Sequence, residues 1–288
     1  MLIQRLTIIG VGLIGGSLAR ALRQAGQCNE IVGCSRHATH LQQAVELGVI
    51  DRFSTNMSDA VIDADMVIVA VPLGATASVF TAIRDNLTPH AIITDVGSVK
   101  GSVVTVAQQC LGQHLPRFVP AHPIAGTEKS GVTASFASLF EKHQVILTPL
   151  PETDAEAIEK VTAMWTYTGA NVIRMSVAHH DEVLAATSHL PHILAYSLVD
   201  TLATMENRIE VFRFAAGGFR DFTRIASSDP QMWHDICLTN QAAVLEALTH
   251  FTGDLEKLTA AIRQQDSQTI KAIFTRAKVA RDKFSQDI

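Results

Sequence analysis

The segment IIGVGLIGGS at residues 8–17 constrains the fold of this chain more than any other. It follows an apolar run, Leu6–Ile9, that predicts a buried strand, and it leads into a helical pattern from Ser17 to Ala25. The glycines between them have the spacing G-x-G-x-x-G and are Gly10, Gly12 and Gly15. In a phosphate-binding turn, the first glycine allows a tight bend, the second lets the backbone approach a pyrophosphate, and the third lets the helix pack against the strand. The segment therefore predicts a dinucleotide site, with an ordinary tight turn as the alternative.

The helix that follows these glycines offers a place for an anion. Its unpaired backbone N–H groups and its dipole favour the negative charge of a pyrophosphate. Val71 and Pro72 end the apolar run from Met66, and we expect them beside the glycine turn, at the carboxyl ends of the strands. We expect the cofactor to be lined by Gly10, Gly12, Leu13, Ile14, Gly15, Val71 and Pro72.

The end of the second predicted strand, Glu30–Gly33, bears on which dinucleotide is bound. NAD-binding units place a carboxylate about 20 residues after the glycines, where it bonds the ribose 2′-OH. This chain has Ser35 and Arg36 there. No acid stands there to repel a 2′-phosphate, and a guanidinium can pair with one through two hydrogen bonds. The pattern favours NADP. NAD stays the alternative, because arginine at this place also occurs in NAD enzymes. Arg36 could equally be a solvated loop cation that contacts no cofactor.

Residues 1–175 alternate short apolar runs with helical stretches. The clearest predicted strands are Leu6–Ile9, Glu30–Gly33, Met66–Val71, Ala91–Asp95, Gln144–Thr148 and Asn171–Arg174. Strands separated by helices imply crossover connections and a mainly parallel sheet. Such a sheet binds ligands beyond the carboxyl ends of its strands. We therefore expect an α/β Rossmann domain over residues 1–175.

Nearly all of residues 176–288 has a helical pattern. The predicted helices are one from Val177 towards Met205 and others beginning near Gln231 and Ser267, with a break at Gly217 and Gly218. The first of them has a broad apolar face, formed by Ala186, Leu190, Ile193, Leu194, Leu198 and Leu202. Such a face serves as a domain core or as a subunit interface. We expect both, in an all-α C-terminal domain that forms a homodimer.

Composition and charge argue against several kinds of partner. A formal net charge of −5 disfavours nucleic acid or an anionic membrane surface. No apolar run reaches the length of about 18 residues typical of a membrane span, and the chain starts with a strand pattern rather than a signal peptide. The four cysteines are scattered without a C-x-x-C motif, so reduced thiols are expected. We expect a cytoplasmic protein.

Three polar segments carry the candidate chemistry. His122–Glu128 holds an imidazole, whose pKa suits proton transfer near neutrality, although His122 alone is equally a loop histidine. Ser188–His192 puts two imidazoles on nearly one helix face. Pro191 within it predicts a kink, because proline inside a helix costs about 3 kcal/mol. Gly217–Ala226 supplies two guanidiniums, which are natural partners of a carboxylate.

Together these segments resemble the prephenate and arogenate (cyclohexadienyl) dehydrogenases of tyrosine biosynthesis, the TyrA family. The matching segments are GVGLIGGS from Gly10, DVGSVKG from Asp95, HPIAGTEKSG from His122, SHLPH from Ser188 and GGFRDFTRIASSDPQMW from Gly217. They span almost the whole chain in the family's order. The departure is Ser35-Arg36, where many NAD-using members have an aspartate, and it bears on the cofactor rather than on the family.

The resemblance implies the role of each matching residue. His122 is expected to accept the proton of the ring hydroxyl while the carbinol carbon loses hydride, and Ser98 to orient that histidine and the nicotinamide. Arg224 is expected to pair with a substrate carboxylate. The other residues implied in or beside the substrate pocket are His192, Ser188, Thr127, Glu128, Arg220 and Trp233.

Trp233, Arg220 and His189 need separate interpretation. The resemblance implies that Trp233 is contributed by the partner subunit. Arg220 is equally explained by an ion pair with Asp221. His189 is better explained by helix packing than as a second catalytic group.

The implied reaction converts prephenate or arogenate to 4-hydroxyphenylpyruvate or tyrosine. Hydride passes to NAD(P)+ while a base takes the hydroxyl proton, and loss of carbon dioxide then forms the aromatic ring. The protein must orient the reacting carbon, polarise the hydroxyl and bind two carboxylates. One histidine and an arginine-rich pocket meet these needs.

Other functions fit parts of the sequence. A hydroxyacid dehydrogenase also joins a Rossmann domain to helices, but that class usually relies on a lysine in its long helix, and residues 177–205 contain none. A non-catalytic NADP sensor would leave His122, Ser98 and Arg224 without a role. A metal site is a third alternative, formed from His179, His180, Asp181, His189 and His192. We expect no metal, because H-x-x-H without a third ligand at fixed spacing is a weak signal.

Overall fold

The computed structural model describes residues 1–206 and 208–284 of the chain. The last strand ends at Arg174, and the later elements in these described residues are all helical. However, the chain divides into two compact units between Gln241 and Ala242. This division lies beyond the domain boundary at residue 175 that the sequence predicts. The helices before this point therefore group with the strand-rich part.

Hydrogen bonds explain why these helices group with the strands. The carboxylate of Asp181 accepts the backbone N–H of Lys100 at 2.8 Å and of Gly101 at 2.7 Å, 81 and 80 residues earlier in the chain. Asp181 thus caps a helix of the strand-rich part and ties the two regions together.

Six strands form one sheet in which every neighbouring pair is parallel. They are β1 Ile3–Ile9, β2 Cys28–Cys34, β3 Arg52–Ser54, β4 Met66–Val69, β5 Ile92–Asp95 and β6 Phe118–Val119. Their order, β3-β2-β1-β4-β5-β6, is the order of a doubly wound dinucleotide-binding sheet. The expected parallel sheet is confirmed.

Three further strands form a separate sheet with the order β7-β8-β9. They are β7 Ala121–Pro123, β8 Gln144–Leu147 and β9 Asn171–Arg174. β7 is antiparallel to β8, and β8 is parallel to β9. The sequence predicted β8 and β9 as strands, but it could not show that they pair away from the main sheet.

The main sheet is buried on both faces, as a sheet covered by crossover helices must be. Neighbouring residues of one strand point to opposite sides, so Ile8 belongs to one hydrophobic cluster and Ile9 to the other. Both are at most 1% exposed. The apolar runs of the sequence therefore reflect burial on both sides of each strand.

The helices before residue 175 cover the sheets. They are α1 Leu13–Gln24, α2 Ala38–Glu46, α3 Met57–Ala60, α4 Thr76–Ile83, α5 Lys100–Cys110 and α6 Ala155–Tyr167. The later helices are α7 Val177–Leu184, α8 Leu190–Ala203, α9 Arg208–Arg213, α10 Gly217–Thr223, α11 Pro230–Thr239, α12 Gln241–Arg263 and α13 Ser267–Phe284. No described helix is both long and apolar enough to cross a membrane.

The long helix predicted from Val177 is continuous but irregular. A π-helical turn, Ala185–His189, separates α7 from α8, and Pro191 lies in the first turn of α8. Proline has no N–H to donate and crowds the carbonyl four residues earlier, so the wider turn gives its ring room. Where the sequence predicted a kink at Pro191, the structure has this π-helical turn just before the proline. The predicted break at Gly217 is wrong in detail, because this glycine begins α10.

Candidate active site

The turn between β1 and α1 has the backbone that a dinucleotide requires. Gly10 has a φ of +99°, and a Cβ there would lie 2.1 Å from the carbonyl oxygen of Ala70. A Cβ on Gly15 would lie 2.4 Å from the carbonyl oxygen of Gly10, so only glycine allows the helix this close to the strand. Gly12 has nothing within 4 Å of its Cβ position, which leaves its backbone open to a ligand. These residues fit a bound pyrophosphate.

The start of α1 is also free of competing charge. Gly12 is its N-cap, no side chain caps the helix, and its first turn from Leu13 and Ile14 holds no acidic residue. Val71 follows β4 at the same edge, since its Cγ1 lies 3.3 Å from the Cβ position of Gly10. Pro72 is next in the chain and exposed. The structure thus places the predicted cofactor residues together at the carboxyl ends of β1 and β4.

The end of β2 has the composition predicted from the sequence. Ser35 is half-buried, and its hydroxyl accepts the backbone N–H of His37 at 3.3 Å. Arg36 is exposed and forms no ion pair with any described residue. No acidic residue occurs from Ser35 to Val45. A positive charge therefore stands unopposed where a ribose 2′-substituent is recognised in this fold.

His122 lies in β7 and is 9% exposed. Its Nδ1 is 2.9 Å from Nε2 of His180, and Nδ1 of His180 is 2.7 Å from Oδ1 of Asp181. No hydrogen bond joins Nε2 of His122 to any other described residue. Three side chains from β7 and α7 thus form a line that engages one nitrogen of the candidate base.

Burial lowers the pKa of His122 well below its ordinary value near 6.5. The neighbouring His180, Lys100 and His189 lower the pKa of His122 further, because each disfavours a second positive charge. His122 is therefore a neutral imidazole at neutral pH, which is the form that accepts a proton.

A buried ion pair fixes the residue before His122. Lys100 is fully buried, and its Nζ lies 2.5 Å from Oδ2 of Asp95 and donates to the carbonyl of Ala121 at 2.7 Å. The backbone N–H of Ala121 donates to Oδ1 of Asp95 at 3.1 Å. Burial lowers the pKa of Lys100, and the carboxylate of Asp95 opposes that shift. Both polar groups of the Ala121 backbone are thereby held in place.

Ser98 lies in the loop between β5 and α5 and is half-buried. Among the hydrogen bonds between described residues, none involves its hydroxyl. Its expected role in orienting His122 therefore stays a prediction.

Aromatic and imidazole rings from α8 and α11 form a second cluster. The rings of His192 and Trp233 are stacked, with centroids 3.7 Å apart and planes at 20°. Nδ1 of His192 is 2.8 Å from the carbonyl oxygen of Ser188, one turn earlier. His189 is 1% exposed and lies 3.2 Å from the amide nitrogen of Asn240, which supports its expected packing role.

Trp233 reaches this cluster from within its own chain. It is 8% exposed and packs with Val99 and Ile236. The resemblance implies that this side chain is contributed by the partner subunit, whereas here it packs against residues of its own chain. The N-cap Asp229 begins α11 so that Trp233 follows one turn later, facing α8.

Arg224 contacts the carboxylate of Glu128, which joins two residues predicted in the substrate pocket. Their side chains are 64% and 39% exposed. Thr127 lies beside Glu128, is exposed, and accepts the backbone N–H of Lys129 at 3.2 Å. Arg220 is exposed and forms no ion pair with Asp221 or with any other described residue, so the structural alternative for Arg220 is not seen.

The sequence did not identify the partners of His122. It grouped His180 and Asp181 only with a metal alternative, and the described residues contain no group of three or more side chains suited to a metal ion. Lys100 and Asp95, which hold Ala121 beside His122, were visible only as members of the segment DVGSVKG. The available signal was a charged pair five residues apart across the end of an apolar strand.

The chain is similar to known proteins along nearly its whole length. Two family models match the chain, "Prephenate dehydrogenase, nucleotide-binding domain" over residues 18–174 and "Prephenate dehydrogenase, dimerization domain" over residues 176–276. The cyclohexadienyl dehydrogenase of Zymomonas mobilis is 42% identical over 284 residues, which cover 96% of this chain and 95% of that protein.

Solved structures are similar over the full length. Prephenate dehydrogenase from Aquifex aeolicus, in complex with hydroxyphenyl propionate and NAD+, has a TM-score of 0.91 and 38% identity, with 98% of each chain covered. Synechocystis arogenate dehydrogenase has a TM-score of 0.83 and 27% identity, with 98% of this chain and 100% of that chain covered.

Proposed function

The chain belongs to the prephenate dehydrogenase family, and from this premise we propose that it converts prephenate or arogenate to 4-hydroxyphenylpyruvate or tyrosine. It is an NAD(P)-dependent oxidoreductase of tyrosine biosynthesis. The observation that carries the proposal is the neutral imidazole of His122, buried beside the dinucleotide-binding sheet with one ring nitrogen left unpaired among the described residues.

His122 is the proposed general base. Its Nδ1 is engaged by His180, so the proton of the substrate hydroxyl is accepted at Nε2. When bound, NAD(P)+ supplies the acceptor for the hydride that leaves the carbinol carbon of the substrate. The Gly10–Gly15 turn holds the pyrophosphate, and Ser98, in the loop after β5, orients the reacting groups. Proton removal raises electron density on the oxygen and so assists loss of hydride from the same carbon.

Arg224 is the proposed partner of a substrate carboxylate. It is exposed, and only its Nη1 contacts Glu128, so the other N–H groups of the guanidinium can pair with a substrate carboxylate. The remaining pocket residues proposed from the sequence are Ser188, His192, Trp233, Thr127 and Arg220. The stacked pair of His192 and Trp233 offers a flat, rigid wall suited to a six-membered ring.

The preferred cofactor is proposed to be NADP. Support comes from Arg36, exposed and without an ion pair among the described residues, and from the absence of acidic residues in 35–45. A relative of known structure binds NAD+. The preference therefore rests on the local charge at Ser35 and Arg36.

The quaternary structure is proposed to be a homodimer built through residues 176–288. The single chain leaves large apolar side chains exposed on α12 and α13, namely Leu245, Leu255, Ile262, Phe274 and Val279. Exposed apolar surface of this kind marks interaction sites. The second family model is that of a dimerization domain.

Initial rates with prephenate and arogenate, each crossed with NAD+ and NADP+, test the proposed function. We expect product absorbance and reduced cofactor to appear together with at least one substrate, and NADP+ to give the larger kcat/KM. Reduction with neither substrate would contradict the proposed function, whereas a clear preference for NAD+ would contradict only the cofactor assignment.

A further inference from the structure

Directly behind the proposed base lie a second histidine and an aspartate, both from α7. We propose that His180 and Asp181 are positioning residues, which hold His122 in the tautomer that has its proton on Nδ1 and leaves Nε2 free. The inference rests on the proposed function of His122 as the base and adds how that base is kept in its reactive form.

The proton on His180 is placed by Asp181. Although burial alone would raise the pKa of Asp181, hydrogen bonds from the His180 ring and from the N–H groups of Lys100 and Gly101 hold it below its ordinary value. An ionised carboxylate only accepts hydrogen bonds. Nδ1 of His180, 2.7 Å from Oδ1, therefore carries the proton and donates it to this contact.

The proton on His122 follows from that on His180. We take His180 to be neutral as part of the proposal, and a neutral imidazole protonated at Nδ1 has an unprotonated Nε2, which only accepts. Nδ1 of His122, 2.9 Å from Nε2 of His180, must then donate, so Nε2 of His122 is the nitrogen without a proton. The opposite arrangement, a cationic His180 that donates to Nδ1 of His122, would put the proton of His122 on Nε2 and remove the base.

The positions of His180 and Asp181 are fixed by several contacts. His180 is 0% exposed and the side chain of Asp181 is 13% exposed. The carboxylate of Asp181 caps α5, and its backbone carbonyl accepts the amide of Asn240 at 2.9 Å. During the reaction the substrate proton moves to Nε2 of His122, while His180 keeps its proton on Nδ1 and Asp181 stays ionised. The negative charge of Asp181 then faces the new imidazolium through His180 and stabilises it.

Two measurements on the purified full-length protein test whether His180 and Asp181 position His122. The first is the tautomer of His122, read from two-bond ¹⁵N–¹H correlations of histidine ring nitrogens and assigned by comparison with His122→Asn. The second is the kcat and KM of His180→Leu, which removes the acceptor, and of His180→Gln, which can keep one. His179→Leu is the matched control, since His179 is the adjacent residue and its side chain is 59% exposed.

We expect wild-type His122 to carry its proton on Nδ1 and His180→Leu to lose that preference. kcat should fall about 10²-fold or more in His180→Leu and less in His180→Gln, with KM for the substrate nearly unchanged, because the role lies in proton transfer. His179→Leu should match the wild type. The affinity for NADP+ should be unchanged in all three variants, which shows that they are folded.

Three results would overturn the inference. They are a wild-type His122 protonated on Nε2, a His180→Leu variant with wild-type kcat, and a loss of kcat in His180→Leu while His122 keeps its tautomer. If His180→Leu does not fold, the wild-type tautomer and the kcat of His180→Gln decide the matter. The tautomer does not depend on turnover, so a failure of the proposed function and a failure of this inference are seen separately.

Discussion

The inner and outer parts of the candidate site are built on different principles. In the inner part, His122, His180 and Lys100 are at most 9% exposed, and each side chain has a fixed partner. In the outer part, the pair of Arg224 and Glu128 is 64% and 39% exposed. Buried polar groups are costly unless paired, so the inner geometry is preorganised for one reaction. An exposed ion pair contributes little to stability, so it can exchange one carboxylate for another.

The largest expected effect is on the inner base. His122→Asn should lower kcat about 10²–10⁴-fold with little change in KM, because a general base acts mainly in the transition state. Steady-state kinetics with the preferred substrate and cofactor measure this. His114→Asn is the matched control, since His114 is 3% exposed but lies outside the site, and it should keep wild-type kcat. A His122→Asn variant with near wild-type kcat would remove this residue from the role of base.

The next effect is on the buried ion pair beside that base. Lys100→Met should lower the free energy of unfolding by about 3–5 kcal/mol, because Asp95 is left as an uncompensated buried charge. Urea unfolding monitored by circular dichroism gives the value. Lys160→Met, which breaks an exposed pair with Glu156, should change stability little. Equal losses in the two variants would mean that burial does not set the strength of the inner pair.

The outer arginine should affect substrate binding rather than stability. Arg224→Ala should raise the KM for substrate by about 10- to 100-fold, the loss expected for one charged hydrogen-bonded contact, while unfolding stays unchanged. Arg84→Ala serves as the control, because it breaks another exposed ion pair, with Asp85, away from the site. An unchanged substrate KM in a folded Arg224→Ala variant would refute the assignment.

The smallest effect is a change of cofactor preference at the end of β2. Ser35→Asp should shift the ratio of kcat/KM for NADP+ and NAD+ towards NAD+, because a carboxylate accepts the 2′-OH and repels a 2′-phosphate. Ser78→Asp, an exposed serine in α4, controls for the added charge. If the wild type already prefers NAD+, or if both variants shift the ratio equally, this account of the β2 end is wrong.

The contrast between the two parts also shows what could be predicted from sequence. The glycine turn and the strand ends around it were predictable because local spacing and apolar periodicity determine them. Gly10 illustrates this, since its φ of +99° is the tight bend that the motif requires of its first glycine. The outer residues Arg224 and Glu128 lie in polar segments that the sequence singled out, but their places in a substrate pocket were implied only by resemblance to a family.

The interior partners were not predictable, because they depend on long-range packing. His122 and His180 are 58 residues apart, and Lys100 and Asp181 are 81 apart. A sequence shows that Lys100 is charged but does not show that it is fully buried. Likewise, β8 and β9 were visible as strands, whereas their pairing in a second sheet is a tertiary feature.

The pH dependence of kcat/KM tests most directly the claim that the inner base is buried and neutral. Burial, together with His180, Lys100 and His189, lowers the pKa of His122, and the neutral form is the active one. The account therefore predicts that kcat/KM stays level as the pH falls through 6.5 and declines only well below it. An acidic limb with an apparent pKa at or above about 6.5, the value of an unperturbed imidazole, would contradict the account.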